Sequence, residues 1–233
     1  MGTGTEALAL SQGAGVPAWL PALLQLASPA LPTGAFSYSQ GLEAACERGL
    51  VRDEASALAW IDAQWRQSFG PRERMAVDAA WSTASAGDAA GFAAADRSFL
   101  ASRDSEESRA ETRQVGTALM RWLVTLHPDV VAQAPARALG GRPCAPSAFA
   151  LCALAQGLPR EAAVLGWSFA WIENQVQAAV KLVPLGQSAG QRLLLALRSR
   201  LADPLPDSPW SFAPVAAIMS MRHERQYTRL FRS

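Results

Sequence analysis

The chain has 233 residues, half of them apolar and 18% charged, with a formal net charge of +1. This composition excludes a disordered chain, and the length allows one sizeable core or two small ones. A net charge so close to zero gives no electrostatic reason to expect a nucleic acid or an anionic membrane as the main partner.

The cysteines and the apolar stretches indicate the cellular compartment of the protein. Cys46, Cys144 and Cys152 are an odd number and form no C-x-x-C pair, which argues against a disulfide framework or a closed zinc site. The first residues lack the basic and apolar regions of a signal peptide, and the longest apolar stretch, residues 162–172, is too short to cross a bilayer. The sequence therefore predicts a soluble protein of the cytoplasm.

Helical periodicity dominates the first half of the chain. Residues 31–37 form a predicted loop because Pro32 and Gly34 interrupt the pattern. Asp53 is a suitable N-cap for a helix that Gly70 and Pro71 should end. We expect helices over residues 18–27, 40–48, 53–69, 72–85, 88–101 and 105–126.

The second half has the same character. Residues 132–146 contain three prolines and a Gly-Gly pair and are predicted to be a loop. The helix predicted over residues 160–182 is apolar nearly all round in its first half, so we expect it to be buried centrally. The other predicted helices cover residues 147–156, 188–201 and 212–220.

These patterns predict one compact all-α domain of about eight to ten helices. We expect residues 1–16 to form a disordered leader, residues 17–220 the helical domain, and residues 221–233 a partner-binding segment, called here the C-terminal tail.

No motif for catalysis is present. The chain lacks a Walker A sequence, H-E-x-x-H and G-x-S-x-G, and its two histidines, His127 and His223, are poorly placed for a nucleophile–base arrangement. Five scattered His and Cys residues do not supply a preformed metal site. We expect no enzyme activity and no tightly bound metal. His223 is at most a transient metal contact, and a surface hydrogen-bonding role is commoner.

The C-terminal tail has an unusual composition. It crowds four arginines around Tyr227, Phe231 and His223. Terminal residues are usually small and polar, whereas arginine and aromatic residues dominate interface hot spots. The tail is therefore predicted to contact another protein.

Three further segments stand out. Phe36 and Tyr38 lie in a Pro/Gly loop, where they either fold back onto the core or face a partner. Residues 103–113 set like charges at i,i+4 spacing, which suits either pairing with another element or a solvated face. Lys181 falls in the last turn of its predicted helix, where the dipole favours a cation and the ammonium can reach the last carbonyls.

Together these four segments resemble the UreF family of urease accessory proteins. The resemblance is carried by residues 24–43, by the charged residues 105–116, by KLVPLGQ at 181–187, and by RHE, QY and RLFRS within residues 222–233. It implies an all-helical homodimer without enzyme activity. Family members bridge the accessory protein UreD (also UreH) and the GTPase UreG, and this complex loads nickel into the urease apoprotein. No cofactor is bound tightly, because nickel is handled by the complex.

The resemblance also implies roles for individual residues. The tail around Tyr227 and Arg229 would become ordered against UreD, so it is expected to be disordered in the free protein. The loop from Phe36 to Tyr38 would help recruit the GTPase, braced by Lys181. The implied partner-binding residues are Phe36, Ser37, Tyr38, Glu43, Lys181, Arg222, His223, Glu224, Gln226, Tyr227, Arg229, Leu230 and Phe231. A different interpretation is a generic all-α homodimeric scaffold whose tail closes its own dimer.

Overall fold

A computed structural model describes residues 15–233 of the chain, so the predicted leader lies, but for its last two residues, outside the described part. The prediction of an all-α fold is confirmed. The α-helices are α1 Leu20–Ala27, α2 Leu42–Glu47, α3 Glu54–Gln64, α4 Arg74–Ser85, α5 Ala89–Ala101, α6 Glu106–Leu126, α7 Pro128–Val131, α8 Ala134–Ala138, α9 Ala145–Ala155, α10 Arg160–Leu182, α11 Gly186–Leu197 and α12 Pro214–His223. Short 3-10 turns occupy Ala35–Ser37 and Arg198–Ala202.

The described residues hold more helices than expected because two short helices, α7 and α8, were not predicted, and α9 begins two residues earlier than predicted. Pro128, Pro135 and Pro146 occupy the first or second position of α7, α8 and α9. Proline is favoured there, since its missing N–H group is one that a first turn leaves unpaired in any case. The prediction of a loop over residues 132–146 is therefore wrong at α8 and at the start of α9.

Two predicted helix starts are confirmed in detail. The Asp53 carboxylate accepts the Ser56 N–H group at 2.8 Å at the start of α3. The Ser105 hydroxyl accepts the Ser108 N–H group at 3.0 Å at the start of α6. In both cases a polar side chain satisfies a backbone donor that the helix itself leaves free.

The predicted break at Gly70 and Pro71 does not exist. Instead, a π-helical segment, Trp65–Glu73, carries α3 into α4 without interruption. Pro71 has no N–H group to donate within this helix. The N–H group of Phe212 approaches from the far end of the chain and donates to the Gln67 carbonyl at 2.8 Å. A distant segment thus supplies a hydrogen bond to the helix beside its proline.

Two apolar clusters form the core, and α10 contributes to both. The first surrounds α9, whose residues from Ala145 to Ala153 are all buried among α1, α4, α5 and α6. The second packs α2, α3 and α11 against the C-terminal half of α10. The expectation that the first half of α10 is buried all round is wrong, because Leu165 and Phe169 remain 39% and 40% exposed there. The buried central helix is α9.

Within residues 15–233, no helix combines the length and apolarity needed to cross a membrane.

Candidate partner-binding site

The C-terminal tail is docked on the domain. Its first residues belong to α12, which continues to His223, and the remainder passes over α2 and α6. His223, Phe231 and Ser233 are buried, with exposures of 0%, 6% and 1%. The expectation of a tail that is disordered in the free protein is therefore wrong for this structure. Polar and apolar contacts to the domain satisfy the tail residues without any second protein.

Glu43 is the main attachment point of the tail. Its carboxylate is buried in the first turn of α2 and accepts the N–H groups of Leu230 and Phe231 at 2.6 and 2.9 Å. A buried carboxylate requires such partners, because removal from water penalises an unpaired charge by several kcal/mol. Glu43 therefore serves the tail from within the protein and is not available to a partner.

His223 is clamped between two carboxylates. Its Nε2 lies 3.1 Å from Glu43 and its Nδ1 lies 2.8 Å from Glu107 on α6. Each ring nitrogen of His223 therefore has a carboxylate as its hydrogen-bond partner. The expectation of a surface histidine is wrong, since this ring is fully buried and joins α12 to α2 and α6.

Arg229 fastens the same region from the solvent side. Its guanidinium contacts Glu107 at 2.5 Å and donates to the backbone carbonyls of Glu224 and Gln226. These contacts fold the tail into a compact turn. Arg229 therefore determines the shape of the tail, and the residue itself remains exposed.

Glu224 caps α6. Its carboxylate accepts the N–H group of Glu106 at 2.8 Å and faces that of Glu107 at 3.3 Å. A carboxylate at a helix N-terminus pairs free backbone donors and interacts favourably with the helix dipole. The tail thus completes the first turn of a helix that lies more than a hundred residues earlier.

The last residue is held by the backbone of the Pro/Gly loop. The Ser233 carbonyl oxygen accepts the N–H groups of Ser39 and Gln40 at 2.6 and 3.1 Å, together with the Ser39 hydroxyl at 2.6 Å. Gln40 has φ of 54°, and successive N–H groups that converge in this way form a concave acceptor site. Nothing in the sequence pattern signalled this contact.

The two aromatic residues of the loop point in different directions: Tyr38 folds back onto the core, which was one of the two alternatives, whereas Phe36 faces solvent. Tyr38 is 4% exposed and its hydroxyl donates to Gln114 at 2.6 Å. Phe36 is 56% exposed. The Arg232 N–H group donates to the Ser37 carbonyl at 2.7 Å, so the predicted proximity of loop and tail is present.

Lys181 contacts the tail, not the loop. It lies in the last turn of α10, as predicted, and its ammonium is 5.8 Å from the centre of the Phe231 ring. Among the described residues it makes no hydrogen bond to the final carbonyls of its helix. Other α10 side chains contact the loop: Asn174 donates to the Tyr38 carbonyl at 3.1 Å, and Trp171 Nε1 donates to the Gln40 side chain at 2.7 Å. Lys181 therefore supports the tail by covering a buried aromatic ring.

The charged start of α6 pairs with distant elements. Glu107 binds His223 and Arg229. Arg103 contacts Glu73 at 2.7 Å in a buried ion pair, instead of the local glutamates suggested by the sequence spacing. The hypothesis that this segment pairs with another element is confirmed at these positions, and the partners lie within the same chain.

Glu111 connects the loop and the tail at the base of the site. Its carboxylate accepts Gln40 Nε2 at 2.7 Å and the Ser233 hydroxyl at 3.1 Å. Burial raises the pKa of the Glu111 carboxyl above its usual value, although the Arg103 charge and these hydrogen bonds oppose the change.

The site is poorly suited to metal or thiol chemistry. Within residues 15–233, no group of three or more His, Cys, Asp or Glu side chains is arranged to hold a metal ion. Burial raises the pKa of Cys144 and Cys152 to about 12 and that of Cys46 to about 11. The three thiols therefore stay protonated near neutral pH, and the thiolate is the form that attacks or binds metal.

Six of the thirteen predicted partner-binding residues are exposed. Tyr227 is fully exposed, Leu230 is 66% exposed, and Arg222 also faces solvent. Phe36, Lys181 and Arg229 are exposed as well, while Tyr38, Glu43, His223 and Phe231 are buried and hold the site together. Sequence reasoning placed all of them in one group because it had no measure of burial.

Comparisons with known proteins identify the family. A sequence model of the UreF family matches residues 51–198. A protein named urease accessory protein UreF from Dechloromonas aromatica (strain RCB) is 47% identical over 222 residues, which cover 92% of this chain and 97% of the relative. The chain belongs to the UreF family.

Other UreF relatives give the same result. A second protein of that name, from Azoarcus sp. (strain BH72), is 49% identical over 225 residues, which cover 91% of this chain and 94% of the relative. A bifunctional urease accessory protein UreEF from Bordetella bronchiseptica is 46% identical over 226 residues, which cover 92% of this chain and 52% of the relative. The resemblance to the UreF family is therefore confirmed over most of the chain.

Proposed function

We propose that this UreF-family protein is a non-catalytic urease accessory protein of the cytoplasm. In this role it bridges UreD (UreH) and the GTPase UreG, modulates the GTPase, and takes part as a homodimer in loading nickel into the urease apoprotein. The observation that supports this proposal is that Phe36, Tyr227 and Leu230 are exposed, although the loop and the tail that bear them are otherwise bound to the domain.

Rigid exposed side chains favour binding because little freedom is lost when they dock. Tyr227 and Leu230 lie on a tail that Glu43 and Arg229 hold in place. Phe36 lies next to Ser37, which is hydrogen-bonded to the tail. The loop and the tail thus stabilise each other. A change in the conformation of one segment should therefore alter the binding of a partner to the other.

The proposed assignment gives the tail to UreD and the loop to UreG. Replacing Tyr227 and Leu230 by alanine should leave folding intact, because both side chains are exposed, and should abolish co-purification with UreD. Leu195 on α11 is 57% exposed and distant in sequence from the tail, so Leu195→Ala is a matched control. Equal recovery of UreD with both variants would contradict the assignment.

Phe36→Ala tests the GTPase contact separately. It should leave UreD binding unchanged and reduce the amount of UreG captured by the complex with UreD. Loss of UreD together with UreG would show that the loop belongs to the UreD contact instead.

We also propose that nickel passes through the complex without a tight site on this protein. Carriers of a metal need surfaces that recognise the donor and acceptor proteins, whereas a tight site would retain the ion. Equilibrium dialysis of the isolated protein should show no sub-micromolar nickel binding. One tightly bound ion per protomer would contradict this part of the proposal, and His223→Ala would then show whether the histidine is a ligand.

The alternative of a self-contained scaffold predicts different behaviour. A scaffold whose tail closes its own dimer should lose its dimeric state when Tyr227 and Leu230 are replaced, and should retain no UreD. Light scattering on the wild type and on this double variant measures the first property directly.

A further inference from the structure

A cavity of about 140 Å³ is lined by residues of α1, α6, α9 and α10 and of the Pro/Gly loop. Aromatic side chains contribute much of its wall, namely Phe36, Phe99, Phe149, Trp167 and Trp171. The rings of Phe149 and Trp167 pack against each other with their centres 5.2 Å apart. An apolar protein cavity of about 150 Å³ holds a benzene molecule, and aromatic rings pack favourably against one another. The size and the wall of this cavity therefore suit one six-membered aromatic ring.

Two buried N–H groups of the lining residues have no acceptor. Arg103 Nε and Trp167 Nε1 are closed to solvent, and no acceptor within residues 15–233 lies within hydrogen-bond distance of either. Folded proteins rarely leave a buried donor unpaired, because its bond to water is lost without replacement. Arg103 still donates to Glu73 through Nη1, whereas Nε1 is the only polar group of the Trp167 side chain. A ligand of this cavity therefore needs an acceptor atom for Trp167.

The charges of the lining favour a neutral ligand. Arg103 supplies the one guanidinium group among the described lining residues, and it is paired with Glu73 at 2.7 Å. Glu111 and Glu173 add two further carboxyl groups, so a carboxylate ligand would meet no unpaired positive charge. An ammonium group has no acceptor to offer Trp167. A hydroxyl group meets both conditions, since its oxygen accepts and its hydrogen can be donated to a lining carboxyl group.

We propose that this cavity binds a neutral monocyclic phenol, with the ring between the aromatic side chains and the hydroxyl oxygen accepting the Nε1–H group of Trp167. Bound phenol should also hold the Pro/Gly loop, because Ala35, Phe36 and Gln40 form part of the lining. The ligand binds the isolated protein, so this property does not depend on UreD or UreG.

The test measures dissociation constants of phenol, toluene and benzoate for the full-length chain by NMR titration. Toluene has the ring without the hydroxyl group, and benzoate has the ring with a negative charge. Phenol should bind at one site per protomer and about fivefold more tightly than either, because only phenol forms the hydrogen bond without introducing a charge. Phenol should also slow hydrogen exchange at the Ser37 and Tyr38 N–H groups, which close the turn in the loop.

Trp167→Phe removes the donor and keeps an aromatic ring in the wall. It should weaken phenol binding about fivefold and leave toluene binding unchanged. Trp60→Phe is the matched control, because Trp60 Nε1 is also buried without an acceptor but the residue does not line this cavity. Ala170→Leu adds bulk at a half-buried lining position and should abolish binding of both phenol and toluene. Ala196→Leu, at an exposed position on α11, is its control.

Several results would overturn the proposal. If neither phenol nor toluene binds, the cavity holds water only. Equal affinities for phenol and toluene would show that the hydroxyl group is not recognised, and benzoate as tight as phenol would show that a neutral ligand is not required. Equal weakening of phenol and toluene by Trp167→Phe would mean that Trp167 contributes shape and not a hydrogen bond. Unchanged phenol binding in Ala170→Leu would place the ligand elsewhere. If Trp167→Phe does not fold, the comparison of the three compounds on the wild type still decides.

Discussion

The carboxylate of Glu43 accepts the backbone N–H group of Phe231 at 2.9 Å, across 188 residues of sequence. The same carboxylate accepts the N–H group of Leu230 and faces His223. The first turn of α2 and the tail therefore satisfy each other's buried polar groups, and neither arrangement is stable without the other.

Glu43→Gln should destabilise the protein by about 1.5–3 kcal/mol. The carboxylate has two acceptor oxygens for the tail groups that face it, whereas the glutamine amide has only one. Urea denaturation measures the global effect, and hydrogen exchange at Leu230 and Phe231 measures the local one. Glu47→Gln is the matched control, since Glu47 lies one turn later on α2 and is exposed. Equal stability of the two variants would show that the tail is not held by Glu43.

Phe231→Ala should destabilise the protein by about 3 kcal/mol, the lower end of the range for deleting a buried phenylalanine, because a tail can partly relax around the change. The ring is 6% exposed and lies under the Lys181 ammonium. Thermal unfolding of this variant and of Tyr227→Ala, whose side chain is fully exposed, makes the comparison. An unchanged melting temperature for Phe231→Ala would restore the hypothesis of a disordered tail.

Gly41→Ala should interfere with the docking of α12. Gly41 has φ of 83°, and a Cβ atom there would lie 3.1 Å from the Ser220 nitrogen and 3.3 Å from the Ala216 carbonyl oxygen. Gly49 has φ of 70° with open space around it, so Gly49→Ala carries the backbone strain without the contact. We expect Gly41→Ala to be the less stable variant in urea denaturation, and equal losses would show that α12 shifts freely.

Glu111→Gln should change how stability depends on pH. The folded protein raises the pKa of this carboxyl mainly through burial, so between the ordinary glutamate range and the raised value the folded state binds more protons than the unfolded state. Stability contributed by Glu111 therefore falls as pH rises through that window. The glutamine variant lacks this loss, and its stability relative to wild type should increase with pH.

Urea denaturation of both proteins at pH 4.5 and at pH 7 provides the measurement for Glu111. The exposed Glu161, replaced by glutamine, is the control, because a solvated carboxyl group has little effect of this kind. A relative stability that decreases with pH would mean that the Arg103 charge outweighs burial.

Features that depend on neighbouring residues could be predicted from the sequence. The caps at Asp53 and Ser105 follow from a polar side chain that precedes a run of helical apolar periodicity. The start of α10 follows from the proline that precedes it. The C-terminal tail could also be recognised from its own composition, because arginine and aromatic residues are unusual in a terminal segment.

Features that depend on distant partners could not be predicted. Gly70 and Pro71 stop most helices, but here the Phe212 N–H group supplies a missing hydrogen bond. Tyr38 and Phe36 are chemically similar, and only the positions of Gln114 and Asn174 decide which of them is buried. The exposure of Val215, Ile218 and Met221 could not be predicted, because it depends on which side of α12 meets α2.

The attachment of the tail also determines the order in which the chain can fold. The contacts of Ser39, Glu43 and Glu107 with the tail span 194, 180 and 116 residues, so they raise the contact order of an otherwise locally connected helical protein. During synthesis these groups emerge long before their partners. Until residues 223–233 have been added, the Glu43 and Glu107 carboxylates on α2 and α6 lack the partners that the tail supplies, so this part of the fold forms after the helices that it joins.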